Sequence, residues 1–332
     1  MDTVSRIDQL KSGSARIGLL LNPLSGQVKK RKEAIFQAVD RIPNGTVIEA
    51  SDAPGFINAV DKLVQSGVDL LVIIAGDGTS HAILSHLFAT LPESEWPILM
   101  IIPGGTTNMT PLDLGMRGKP EKILQRLTSY LQRTDGTDPE LVQRPVLCIE
   151  QNGQDTIYGM FFAVGLVARG VKFSRSSVEQ IGITGGIFTF LIMMRSLAGM
   201  ILGRSKSEWG PVTMTITRDN GETIQGTFLF ALVSALDCLL LNIRPYWGTE
   251  NAPLHVTWVD QQRNKLWRSL WPLLSGRGHV LKTQDGYHSH NTIELTLQLN
   301  DEYIVDGELY RSVGINEPLR ISATQPVSFL VL

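Results

Sequence analysis

The sequence predicts an α/β domain built on a parallel sheet, followed by a β-rich domain. Two patterns carry that prediction. Between residues 17 and 132, short apolar runs alternate with segments of helical spacing, as expected when helices cover both faces of a parallel sheet. Beyond residue 140 the chain changes to short strand-like runs. Period-two alternation is clear in Val212–Thr217 and Ile293–Leu299, which is antiparallel composition. A chain of 332 residues with 43% hydrophobic content can fill two such cores.

Taken in order, Ile17–Leu21 is the first predicted strand. Lys29–Arg41 follows as a helix with Ile35, Phe36 and Val39 on one side. Val47–Ala50 is a second strand, and Gly55–Gln65 a helix stopped by Gly67. Leu70–Ala75 and Ile98–Ile102 are apolar throughout, and the helix Thr79–Ala89 lies between them. Pro120–Gln132 is the last helix of this part. The polar stretch Thr134–Glu140 reads as a linker. The second part offers strands at Val146–Glu150, Thr156–Val164, Val212–Arg218, Thr227–Ser234, His255–Val259, Thr292–Leu299 and Tyr303–Val305. Residues 182–202 are long and apolar enough to be weighed as a membrane span, but Arg195 stands near the middle. An Arg there costs ~2.5–3.5 kcal/mol on insertion scales, which favours a buried or interfacial helix.

Composition narrows the function. A formal net charge of −2 without long basic runs argues against nucleic acid as a partner. Cys148 and Cys238 lie inside apolar runs, a reduced-compartment pattern, and the polar first fifteen residues do not read as a secretory signal. The expectation is a cytoplasmic protein, peripheral at a membrane if its apolar helix meets lipid.

Three segments follow the apolar strands: Asn22-Pro23-Leu24-Ser25-Gly26, Ala75-Gly76-Asp77-Gly78-Thr79 and Pro103-Gly104-Gly105-Thr106-Thr107-Asn108. Small side chains expose backbone N–H groups, a surface suited to a polyphosphate. In an open α/β sheet all three loops emerge at the carboxyl edge, where ligands bind. Neither G-x-x-x-x-G-K-[ST] nor G-x-G-x-x-G is present, which sets aside the usual P-loop and dinucleotide sites. Asp77 would repel a phosphate unless a cation intervened. It points to Mg²⁺-nucleotide or to the positioning of a hydroxyl, both at home in phosphoryl transfer. Taken alone, Asp77 also reads as an N-cap for the helix beginning near Thr79.

These loops, together with the late Asp306-Gly307-Glu308, resemble the motifs of the diacylglycerol kinase family, including its soluble bacterial and sphingosine-kinase-like members: N-P-x-S-G, G-G-D-G-T, P-x-G-T-x-N and D-G-E. The resemblance implies an NAD-kinase-like α/β nucleotide domain over 14–138 and a β-sandwich domain over 142–310. The C-terminus, 311–332, would return to the first domain. It implies that Asn22 to Gly26 and Ala75 to His81, including Ser80, hold ATP phosphates, with Ser51, Thr106 and Asn108 nearby. Glu308 or Asp306 would be the base that takes the proton from a lipid hydroxyl, a sensible device because a free alcohol is a poor nucleophile. Ala75 departs from the pattern by replacing a Gly, and Met109 stands where many members have Asp. In the segment where the family binds a regulatory Mg²⁺, Asp-Asp-Gly reads Glu250-Asn251-Ala252. Glu250 and the Asn251 carbonyl are the ligands left there.

Bland readings compete with the rest. Asp306-Gly307 is also a strong hairpin turn signal. His288 and His290 share a face if extended but lack a third ligand, so a strand or loop is the simpler reading. Trp258, Trp267 and Trp271, interleaved with Arg263, Lys265 and Arg268, suit a membrane interface or ordinary packing. The expected activity is ATP- and Mg²⁺-dependent phosphorylation of a diacylglycerol-like lipid at a membrane surface, by a monomer or homodimer. A kinase of a soluble hydroxyl substrate and a non-catalytic nucleotide-binding regulator are the alternatives.

Overall fold

A computed structural model describes residues 3–133, 139–172, 210–264 and 266–332. The apolar stretch 182–202 and most of the expected linker lie outside the described residues. Among the described residues no helix is long and apolar enough to cross a membrane. The chain forms two compact units, Met1–Arg144 with Pro326–Leu332, and Pro145–Gln325.

The first unit opens with α1 (Thr3–Ser12), which the polar N-terminus had not suggested. Its Arg6 is buried, donates to the Val68 carbonyl at 3.1 Å and lies 3.7 Å from Asp69. The strands β1 (Ile17–Leu21), β3 (Leu70–Ala75) and β4 (Ile98–Pro103) are buried at every residue. Continuous apolar sequence is what a strand covered on both faces requires, and each buried Leu or Ile contributes ~1.5–3 kcal/mol. β2 (Gly45–Glu49) is mostly exposed and lies at the sheet edge. The order is β2-β1-β3-β4-β17-β5, where β5 is Glu140–Arg144 and β17 is Val327–Val331. β1 to β4 are parallel to one another, whereas β5 runs antiparallel to β17.

The expected first helix is divided into α2 (Gly26–Lys30) and α3 (Lys32–Val39), because Arg31 leaves helical geometry with φ −128°. α4 (Ala53–Gln65) starts under an Asp52 cap, whose carboxylate accepts from Gly55 N at 2.8 Å. α5 (Asp77–Thr90) follows β3, α6 (Met109–Asp113) follows β4, and α7 (Pro120–Gln132) completes the set. α3 packs with α7, and α4 with α5. The chain therefore steps from β1 outward to β2 and then back across to β3. That reversal opens a crevice between the carboxyl ends of β1 and β3, the usual ligand position in open α/β sheets.

The second unit is one hydrogen-bonded path of antiparallel strands, ordered β15-β14-β8-β10-β9-β13-β16-β6-β7, with β11 and β12 joined beside β10. The ranges are β6 (Leu147–Glu150), β7 (Ile157–Gly159), β8 (Phe161–Gly165), β9 (Val212–Arg218) and β10 (Thr223–Ser234). They continue with β11 (Leu254–Asp260), β12 (Tyr287–Thr292), β13 (Glu294–Leu299), β14 (Glu302–Val305), β15 (Glu308–Arg311) and β16 (Leu319–Ala323). Alternation holds in β9 and β13, whose inward residues join a core containing Phe162, Phe228 and Trp258. The return to the first unit begins later than residue 311. β16 still pairs with β6 and β13, and only Pro326–Leu332 crosses back, as β17 beside β4. The reason is that β16 buries Leu319 and Ile321 in the second core.

Candidate functional site

Because β1, β3 and β4 are neighbours in register, with Leu21 beside Ile74 and Ala75 beside Pro103, their loops start side by side. Gly104 ties them together. Its N–H donates to the Ala75 carbonyl at 2.9 Å, and its own carbonyl accepts from Gln27 N at 2.8 Å and Val28 N at 3.3 Å. Asn22 donates through Nδ2 to Thr79 Oγ1 at 3.1 Å and accepts from Leu24 N at 3.0 Å. The loop after β1 is thus bonded to the start of α5 as well. Gly26 approaches Thr106 closely enough that a Cβ would stand 3.3 Å from its Oγ1. A Cβ on Gly105 would lie 2.5 Å from Gly76 Cα, a distance no side chain tolerates. The glycines are needed because two backbones touch here. Ala75 closes β3 without positive φ, so replacing Gly at that position costs nothing.

Asp77 is the first residue of α5, and Gly76 is the N-cap. Its carboxylate is turned toward the third loop. Oδ2 accepts from Thr107 Oγ1 at 2.6 Å and Met109 N at 3.0 Å, and Oδ1 accepts from Thr110 N at 3.2 Å. Asp77 therefore caps α6 rather than its own helix, placing negative charge at the positive end of a helix dipole. Asn108 precedes α6 with φ 52°, in the left-handed region that Asn tolerates, and its amide exchanges two hydrogen bonds with Gly105 at 2.7 and 3.0 Å. Thr107 was read only as part of the third loop, without a role, and Thr110 was not singled out in the sequence. The small polar composition of the third loop was the available signal, but their partner is more than 29 residues away.

The other expected phosphate residues divide by burial. Thr79, Ser80 and His81 are buried in the first turns of α5, and Ser80 donates to the Gly76 carbonyl at 3.4 Å. Pro23 and Ser25 are partly exposed and Leu24 is exposed, while Gly78 is partly exposed beside Asp77. Ser51 lies exposed between β2 and α4, on the same sheet edge but after the outermost strand.

In the second unit, Asp306 and Gly307 form the turn between β14 and β15, with φ 48° and 87°. Two left-handed residues make the hairpin turn that Asp-Gly favours. Asp306 also works as a clamp. Its Oδ2 and Oδ1 each accept at 2.9 Å, from Met160 N and Phe161 N, and its own N–H donates to the Phe161 carbonyl. Glu308 opens β15 and is partly exposed. Burial, reinforced by the charges of Glu308 and Asp306, pushes the Tyr310 phenol up to about 12. Tyr310 therefore stays protonated beside two carboxylates, and its ring stacks on Tyr303 at 5.6 Å.

The expected cation ligands at Glu250 and Asn251 do not form a metal site. Glu250 Oε1 accepts from Arg218 Nη2 at 2.9 Å and is 2.7 Å from His290 Nδ1. Oε2 accepts from Asn291 N at 2.9 Å and Thr249 N at 3.0 Å. Burial by itself would raise its pKa, but the hydrogen bonds from the Asn291 N–H, the His290 ring and its own N–H outweigh burial and hold it at about 2. The donor set is that of a carboxylate already balanced by a guanidinium, so it does not fit a divalent cation. His288 and His290 lie on β12 and stack on Trp258 at 5.1 and 5.3 Å, as packed strand residues. Among the described residues no group of three or more His, Cys, Asp or Glu is arranged to hold a metal.

A family model described as the diacylglycerol kinase catalytic domain matches residues 16–137. No curated protein matches the chain. Among solved structures, a candidate diacylglycerol kinase from Bacillus anthracis str. Sterne is similar with TM-score 0.65, at 16% identity over 94% of each chain. A second structure, of a diacylglycerol kinase from the same strain, has TM-score 0.61 at 15% identity over 96% of each chain. At such identities these likenesses concern the fold. The three pinned loops all lie within the segment, residues 16–137, that this diacylglycerol kinase catalytic-domain model matches.

Proposed function

We propose that the chain is a lipid kinase, transferring the γ-phosphoryl group of Mg²⁺-ATP to the hydroxyl of a diacylglycerol-like lipid. The observation that carries the reading is the junction of Gly26, Gly76, Gly104 and Gly105 at the β1/β3 crevice. A Cβ on Gly105 would collide with backbone there, so glycine lets the three loops close together at the switch point, where an open α/β sheet binds its ligands. The residues suit a nucleotide triphosphate: Gly26 and Gly78 present backbone N–H groups in the first turns of α2 and α5, with Thr106 alongside. Bound Mg²⁺-ATP would supply the transferable phosphoryl group and neutralise its charge.

Asp77 is a positioning residue in this reading. It fixes the third loop to the start of α5 through three accepted hydrogen bonds. Asp306 is likewise a positioning residue, since its two oxygens hold the N–H groups of Met160 and Phe161 where the chain enters β8. Glu308 is then the carboxylate that takes the acceptor's proton.

The test is labelled ATP with protein, Mg²⁺ and a total lipid extract, followed by phase separation. Label in the organic phase is the expected result. Label confined to a water-soluble acceptor replaces the lipid with a soluble hydroxyl substrate. Absence of transfer at every Mg²⁺ concentration overturns the catalytic reading.

A further inference from the structure

The second unit carries an apolar surface that packing does not explain. The helix Leu266–Leu274 buries Ser269 and Leu273 on one side, yet holds Trp271 70% exposed on the other, one turn from exposed Arg268. A helix that packs on a core normally turns polar residues outward. The loop Leu239–Ile243 abuts the end of this helix, because Arg244 N donates to the Leu274 carbonyl at 3.3 Å. Its tip is Leu241, which is 49% exposed and has φ 59°; Asn242 beside it also has φ 59°. A left-handed leucine is strained, and here the strain holds an apolar side chain in solvent. Val280, just beyond the helix, is 56% exposed.

Charge selects the partner. From Gln261 to Gln284 the sequence holds five Arg or Lys and no Asp or Glu, and residues 238–249 add Arg244 without an acid. The whole chain has net charge −2, so this basic surface is a local departure. Exposed Trp and Leu with a basic rim match an anionic bilayer, where the rings sit at headgroup depth and the cations meet phosphate.

We infer that the surface formed by Trp271, Leu241 and Val280, rimmed by Arg244, Arg268 and Arg277, docks on anionic phospholipid membranes. The surface stands on its own residues, while its use rests on the lipid-acceptor reading. The binding experiment therefore uses no nucleotide.

The full chain is sedimented with vesicles of phosphatidylcholine, with and without one quarter phosphatidylglycerol. We expect anionic vesicles to bind at least about tenfold more tightly. Combining Trp271→Ser with Leu241→Asn lowers that binding about tenfold or more, and Arg244→Glu with Arg268→Glu abolishes the preference for anionic lipid. Leu241→Asn relieves the backbone strain, so its Tm is expected to be no lower than that of the parent while its vesicle binding falls; a merely structural leucine would show the reverse. Unchanged vesicle binding in the Trp271/Leu241 variant overturns the inference. So does a parent dimer, by light scattering, that this variant converts to monomer without any vesicle binding by the parent. Phosphorylation of a soluble short-chain diacylglycerol by the same variants separates the two proposals: it is unchanged if only docking is lost, and absent in the parent if the lipid-kinase reading is wrong.

Discussion

Replacing Asp77 by Ala removes the acceptor for Thr107 Oγ1, Met109 N and Thr110 N at once, three contacts between 2.6 and 3.2 Å. A hydrogen bond to a charged group contributes ~1.5–3 kcal/mol. These groups are only partly buried, so water recovers part of that, and loss of a helix cap costs ~0.5–2 kcal/mol. About 3 kcal/mol is the expected loss for the first unit. A unit of this size shifts by roughly 2–4 °C per kcal/mol, which gives a fall of about 6–12 °C. Asp77→Asn keeps one acceptor oxygen but turns an amide N–H toward a backbone donor, so about half the loss is expected. Calorimetry gives the shift, and turnover with lipid measured below the transition gives the effect on catalysis. Because Asp77 sets loop geometry, KM for nucleotide should rise along with the fall in kcat. A double-mutant cycle with Thr107→Ala should show coupling of at least about 0.5 kcal/mol. A Tm change under about 2 °C with abolished turnover and no coupling would refute the clamp and make Asp77 a directly chemical group.

Gly105→Ala should be more damaging than Gly76→Ala, since their added Cβ atoms meet backbone at 2.5 and 3.3 Å respectively; nucleotide titration calorimetry and Tm give the order, with ~1–3 kcal/mol expected for the first. Glu308→Gln should lower kcat with Tm unchanged. By contrast, Asp306→Asn should lower Tm, through a stability loss of ~1–3 kcal/mol, because it sets an amide against the Met160 or Phe161 N–H. Equal melting of the two variants would contradict the division of roles. Glu250 is held at about 2 against an ordinary 4.5, so its contribution is full above pH 4.5 and is lost as pH falls toward 2. With its side chain 36% exposed, screening limits that contribution to about 1 kcal/mol. Melting of Glu250→Gln against the parent should differ at pH 6 and converge near pH 2, and EDTA should leave the difference unchanged.

Much of the first unit was legible because burial on both faces demands uninterrupted apolar strands, as in β1, β3 and β4. The edge strand β2 lacks that constraint and began two residues earlier than its apolar content indicated. β5, β12, β15, β16 and β17 were not identified. β5 and β15 are short and partly exposed, and the register of β17 is set by β4 and β5, which are distant in sequence. The three loop segments were legible as glycine-rich strand ends. The contacts among them were not: Asp77 looked like the cap of its own helix, and only folding brought α6 to it.

By itself the sequence determined where strands stop and backbone is bare, because glycine and small polar residues act locally through conformational freedom and access. It also carries the loop motifs that resemble those of the diacylglycerol kinase family. Tertiary structure alone decided what each acid does. Asp77 bonds across 30 residues, Asp306 holds the start of a strand 145 residues away, and Glu250, in a loop, is balanced by an arginine on β9. A carboxylate's role depends on the donors that surround it, and those donors are gathered by sheet order rather than by proximity in the chain.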